Sequence, residues 1–247
     1  MSSDAATPKP EQADEGGVSP TTDAARIADA LPGLRDAAFG ALVREPSTGV
    51  GVISLDGQVV YLNEQAARIF HGRDARPEQF VGRFWRDHLP AEWVKERLGI
   101  LREILVHGEP VQIRTIWRGY QHVTWISPIE TAESENGVAL FLTITRRESG
   151  DEQAESLSGK EERCVDSGVM RLGPLDALSK RELEVLALVG QGLTVSETAR
   201  VLCRSEKTIE SHITSIHHTL GVRDRVEMSE IARRAGLSLS DAERRRV

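Results

Sequence analysis

Few side chains in this 247-residue chain have the spacing that metal, nucleophilic or redox chemistry requires. Cys164 and Cys203 form no CxxC or CxxH pattern, so neither a metal site nor a thiol redox pair is expected. There is no Gly-rich phosphate loop, no GxSxG elbow, no HExxH and no Cys–His arrangement with meaningful spacing. His71, His88, His107 and His122 each lack a second residue at ligand spacing, so satisfied surface or core histidines are expected in place of haem ligands. Asp56 sits in an Asp-Gly turn motif, and the helix–strand order is wrong for an alternating parallel fold, so aspartate phosphorylation is not the expected switch. The chain is therefore not expected to be an enzyme, and neither cofactor nor metal is predicted. What remains is a polar and basic set in the last third: Arg204, Ser205, Lys207, Thr208, Glu210, Ser211, His212, Thr214, Arg223 and Arg225. Its use depends on the elements that carry it.

Those elements can be placed from composition and periodicity. The chain is 39% hydrophobic and 28% charged, with net charge −7, which is enough apolar content for packed cores. No apolar run approaches the roughly 18 residues of a spanning helix, so no membrane is expected. The N-terminus is acidic and lacks the basic-then-apolar order of a secretory signal, which makes a cytoplasmic, reduced location the expectation. The charge is uneven: −4 over residues 1–34, −1 over 35–148, −3 over 149–174 and +1 over the last 73 residues. Residues 1–22 read as disordered, and Ala24, Ile27, Ala28 and Leu31 give a helical face that Pro32-Gly33 interrupts. The expected organisation is an N-terminal extension (1–34), a mixed domain (35–148), a linker (149–174), a helical domain (175–240) and a basic tail (241–247). The Arg244-Arg245-Arg246 tail reads as a frayed end, or as an arm that reaches phosphate.

In the mixed domain, Val50–Leu55 and Val59–Leu62 flank Asp56-Gly57, a hairpin signal. Asn63 can cap a helix carrying Ala66, Ala67, Ile69 and Phe70. A longer helix begins near Pro90 with Val94, Leu98, Leu101 and Leu105 as its buried stripe, and Gly108 ends it. Three strands are expected at Val111–Trp117, Gln121–Ile129 and Val138–Thr145. This order, with Gly51–Gly57 leading into Val59–Asn63 and Ala66, resembles a PAS sensor domain. The resemblance implies an α+β fold with a five-stranded antiparallel sheet, helices across one face and a cavity between them that holds a ligand or is simply core. A flavin–cysteine adduct would need a thiol inside that domain, where none stands. Trp85, Trp93, Trp117 and Trp125 could line a pocket, though aromatic residues at such positions are more often plain core. Small-molecule sensing and dimerisation are equally open for this domain.

The C-terminal domain carries stronger signals. Ser179 with Glu182, and Thr194 with Glu197, are capping boxes that open two helices. Ser205 caps a third, with Ile209, Ile213, Ile216 and Leu220 inward and Gly221 at its end. A fourth runs from about Arg223 to Arg234. Four short capped helices make an all-α helix-turn-helix module. Leu178 to Gly192 (LSKRELEVLALVGQG), Glu197-Thr198-Ala199, Thr208–His212 and Leu220-Gly221-Val222 with Arg225 resemble the LuxR/NarL/GerE DNA-binding domain. The resemblance implies that Glu206–Thr219 is the recognition helix in the major groove, capped by Ser205. It places Glu210, Ser211 and Thr214 at base edges and Lys207, Thr208 and His212 near the sugar–phosphate strand. Arg223 and Arg225 open the last helix. Hydroxyls and carboxylates suit base edges, whereas Lys and Arg neutralise phosphate without reading sequence. The chain departs from the family pattern at Glu210 and Thr219, where lysine is frequent, and at Thr198 and Arg204, where apolar residues are usual; Arg204 compensates if it reaches a phosphate. His217 and His218 are expected in a solvated patch.

The expectation is thus a two-domain transcriptional regulator, and a protein-interaction adaptor that no longer binds DNA is the alternative. The expected partners are double-stranded promoter DNA, a second copy of this chain and RNA polymerase. No ligand of the sensor cavity can be named from sequence.

Overall fold

The computed structural model describes residues 34–129, 139–148 and 163–247. The expected helical face at Ala24–Leu31 and most of the expected linker lie outside those residues. The first described element is α1 (Leu34–Arg44).

The mixed domain is built on a sheet in the order β2-β1-β5-β4-β3-β6. Strand β1 (Thr48–Ser54) turns through Gly57, at φ 85°, into β2 (Val59–Leu62). Strand β3 (Val111–Trp117) turns into β4 (Tyr120–Ile129) through Arg118 and Gly119, both at positive φ, which matches the twist of a two-residue hairpin. Strand β5 (Leu140–Arg147) lies between β1 and β4 and is antiparallel to both. These five are the expected strands. The sixth corrects the expectation: β6 (Arg163–Asp166) comes from the segment read as linker and pairs parallel with β3, Val111 opposite Arg163. Four mostly exposed residues satisfy the backbone of an otherwise open edge, and they carry no hydrophobic period to announce it.

Helix α2 (Glu64–His71) starts where Asn63 ties α1, β1 and α2 together. The Asn63 Oδ1 accepts from the Val50 and Ala66 amides at 2.9 Å each, and its Nδ2 donates to the Thr48 and Val43 carbonyls at 2.8 and 3.1 Å. Helix α3 (Ala91–His107) follows Pro90 and stops at Gly108 in the left-handed conformation, as expected. Its buried stripe does not follow the expectation. Trp93, Val94, Arg97, Ile100, Leu101 and Ile104 face inward, Leu98 is partly buried, and Leu105 is 49% exposed. Arg97 is charged by type but core by position, and it shares the buried side of the helix with Trp93 and Ile104.

His122, on β4, is buried with Nδ1 at 3.1 Å from the Tyr120 carbonyl. Burial, with the charge of Arg147 adding to it, pushes its pKa down to about 3. A depressed folded pKa gives stability that is complete above the unfolded value near 6.5 and is lost as pH falls toward 3. Urea unfolding at pH 8 and pH 5 should therefore differ by about 2 kcal/mol through this residue alone. The His122→Gln chain should show a correspondingly smaller difference; an equal one would remove His122 from the account.

After β6, strand β7 (Val169–Met170) pairs parallel with β8 (Arg245–Arg246). The expected basic tail is accordingly packed rather than frayed. Between these strands lie α4 (Lys180–Gly190), α5 (Val195–Val201), α6 (Glu206–Leu220) and α7 (Arg225–Arg234). Both expected capping boxes form, with Ser179 and Thr194 accepting from the amides of Glu182 and Glu197. Gly190 lets α4 meet α7 closely, since a Cβ there would stand 2.5 Å from that of Ala232. The core of this helical domain takes in Ile116 of β3 along with Leu183, Leu186, Ile209, Ile216 and Met228. Ile116 and Arg114 alternate with the inward residues Ile113 and Trp117, so they project from the opposite face of the sheet. The helical domain covers that face at β3 and β4.

Candidate nucleic-acid interface and sensor cavity

Helices α5 and α6 form the helix-turn-helix pair. Cys203 at φ 51° makes the turn, and Ser205 starts α6 by accepting from the Thr208 amide at 3.2 Å. Ile209 and Ile216 anchor α6 in the core. The opposite side presents Lys207, Glu210, Ser211 and Thr214 to solvent, with Arg204 exposed just ahead of the helix. Thr208 and His212 are partly buried at the margin. The Thr208 and Ser205 hydroxyls are 2.8 Å apart, and the Thr214 hydroxyl donates to the Glu210 carbonyl at 2.9 Å. Of the positions implied by the family resemblance, Lys207, Glu210, Ser211 and Thr214 therefore share one exposed helix face, with Thr208 and His212 at its margin.

Other expectations change in detail. Arg225 opens α7, but its Nη2 donates to the Leu193 carbonyl at the α4–α5 joint, which ties the last helix to the first pair. Arg223 is exposed and bonds Glu227 through both its backbone amide and its guanidinium. His217 does not lie in a solvated patch: Nδ1 is 3.1 Å from the Val222 carbonyl, closing the end of α6. Thr198, one of the departures from the family pattern, is fully buried with no partner for its hydroxyl. Glu182 of the first capping box also accepts from the Ser215 hydroxyl on α6. The hydrogen bonds from Ser215 and Ser179 hold that carboxyl below the ordinary range. The third helix is thereby fixed in rotation by polar contacts as well as by its core residues.

The mixed domain contains a cavity of about 40 Å³ between the sheet and the helices. Its walls include Ile53, Phe70, Trp85, Ile126, Trp93 and Arg97. Three of the four tryptophans, Trp85, Trp93 and Trp117, pack edge-on or tilted as a chain with centroids 5.1 and 5.8 Å apart. Trp93 and Arg97 were not singled out as a pair in the sequence; their α3 spacing of four was the available signal. His71 and His88 also face the cavity, 4.9 Å apart. Burial, followed by repulsion from His88, Arg118 and Arg171, lowers His71 to about 4. His88 is lowered as well, chiefly by burial.

Among known proteins, residues 176–232 match the GerE family, described as bacterial regulatory proteins of the luxR family. The transcriptional regulatory protein LiaR of Bacillus subtilis is 38% identical over 93 residues, which are 37% of this chain and 44% of LiaR. The oxygen regulatory protein NreC of Staphylococcus aureus is 44% identical over 59 residues, 24% of this chain and 27% of NreC. The chain thus spans less than half the length of these curated relatives. A solved complex of VqmA from Vibrio cholera with ligand and DNA aligns over 82% of this chain and 90% of that one, at 18% identity and a TM-score of 0.43.

Proposed function

We propose, from a C-terminal domain whose residues 176–232 are of the luxR type, that this chain is a sequence-specific DNA-binding transcriptional regulator governed by its PAS-like half. The observation that carries the reading is the single exposed face of α6, with Lys207, Glu210, Ser211 and Thr214 on a helix anchored by Ile209 and Ile216. A helix so capped and so anchored fits the major groove, where short hydroxyls and a carboxylate meet base edges and lysine meets phosphate. The chain works as a cytoplasmic homodimer, and the exposed side of α7, where Val226 is 73% exposed, supports pairing. Paired copies read half-sites about one helical turn apart. At a promoter, RNA polymerase is the partner such a regulator meets. The reading assigns no catalysis to the chain.

Selection of full-length protein on random duplex DNA at moderate salt tests this. A two-fold-related enriched motif is the expected outcome. The K207A chain should then bind all duplexes more weakly, with a salt slope smaller by about 0.9. The E210A chain should change which sequence wins. No binding even at low salt would sink the regulator and favour the adaptor, to which the acidic Glu206 and Glu210 on α6 would then point.

A further inference from the structure

The sensor cavity carries chemistry that selects a ligand class. Arg97 is 2% exposed, and its ion pair is with Glu96, Nη1 to Oε2 at 3.2 Å. Its guanidinium lies 5.1 Å over the Trp93 ring. Trp93 is 3% exposed, and its indole Nε1–H has no acceptor; neither ring nitrogen of His88 has a partner. Buried donors without acceptors are costly, and here they share one cavity. No carboxylate of the described residues lines that cavity, whereas Ile53, Phe70, Trp85 and Ile126 give it apolar walls. Burial lowers Arg97 to about 10, so it stays charged at neutral pH beside two histidines held neutral.

Building on the sensor reading above, we propose that the cavity binds a small monocarboxylate of two to four carbons, its carboxylate on Arg97 and the Trp93 Nε1–H and its alkyl end against the apolar walls. Arg97 already faces Glu96, so the least charged anion is favoured: a carboxylate adds one negative charge beside that pair, whereas a phosphate dianion would carry two among apolar side chains. The confined free space, about 40 Å³, keeps the ligand at the small end of this class.

The same contact leads out of the cavity. Glu96, the partner of Arg97, also accepts from the Ser167 hydroxyl and the Gly168 amide, each at 2.6 Å. Those two residues form the turn between β6 and β7, from which the chain enters the DNA-binding domain. A carboxylate that draws Arg97 toward itself weakens the tie on Glu96 and loosens this turn.

The test uses the full chain with acetate, propionate and butyrate against acetamide, propionamide and butyramide, at ionic strength fixed with chloride. Binding is read by tryptophan fluorescence and by amide hydrogen exchange over residues 167–170. Saturable binding is expected for the acids, at least tenfold tighter than for the amides, with faster exchange at Gly168. R97Q should abolish the preference for acid over amide. W93F, which keeps the ring and removes the N–H, should weaken acid binding about tenfold, and it stands as the test if R97Q does not fold. Equal binding of acids and amides, acid binding unchanged in W93F, or no binding of any acid overturns the ligand assignment. Acid binding without a change at Gly168 overturns the route through Glu96. Neither readout involves DNA, so a failure here and a failure of the DNA selection are separate results.

Discussion

The D241A chain is expected to unfold with a stability lower by about 3–5 kcal/mol, the cost of removing one member of a buried charge cluster. The Asp241 side chain is fully buried where the last turn of the helical domain meets the sheet. Its Oδ1 lies 3.0 Å from Arg244 Nε and 3.4 Å from Arg114 Nη2, and its Oδ2 accepts from the Ser238 amide and hydroxyl, both at 2.7 Å. Arg114 also reaches the Gly236 carbonyl at 3.3 Å. Without Asp241, two largely buried guanidiniums would share only Asp166, which is 56% exposed. Burial raises the Asp166 carboxyl, but the hydrogen bond and charge of Arg114 and the charge of Arg244 outweigh it and hold the group below its ordinary range. D166N, at the solvated rim, should cost about 1 kcal/mol or less. Urea unfolding of both variants decides the matter: equal losses would mean that Asp241 does not hold the cluster together.

Asn63 sets the second large effect. N63A would strand the Val50 amide and the Thr48 carbonyl in a buried site and remove the cap of α2, a loss of about 3–4 kcal/mol. N63D keeps both acceptor bonds but turns a carboxylate oxygen toward the Thr48 and Val43 carbonyls. It should therefore be at least as harmful at pH 7, and should recover part of the loss at low pH where that oxygen takes a proton. Thermal unfolding across pH reads the difference. If N63D were as stable as the parent, the bonds to the two carbonyls would not bear on the fold.

Local signals in the sequence were sufficient for the helix-turn-helix half. Each of its helices begins at a side-chain cap and packs through spacings of three and four, and these are short-range events. The face of α6 was legible for the same reason. Arg225 was not, because its acceptor, the Leu193 carbonyl, is 32 residues away and belongs to a loop whose path only the fold defines. The strand β6 was missed because Arg163-Cys164-Val165-Asp166 is short, polar and mostly exposed, and its partner β3 lies some fifty residues earlier. The three arginines near Val247 looked solvated because their counter-charges Glu92, Asp166 and Asp241 and the Leu178 carbonyl are scattered along the chain. In α3, Arg97 is hydrophilic by type and core by position, which hides the buried stripe that runs from Trp93 to Ile104. That same arginine is what gives the cavity its charge.

The Arg114–Asp241 contact joins residues 127 positions apart. During synthesis at about 5–20 residues per second, Arg114 would wait about 6–25 s for its buried counter-ion to be made. Over much of that time the β3 edge also lacks β6, and Ile116 lacks the helical core it enters. A nascent mixed domain is thus an incomplete sheet with an uncovered face until the helical domain has been made. Neither half completes its packing without the other, because Ile116 enters the helical core and Arg114 takes its buried counter-ion from it.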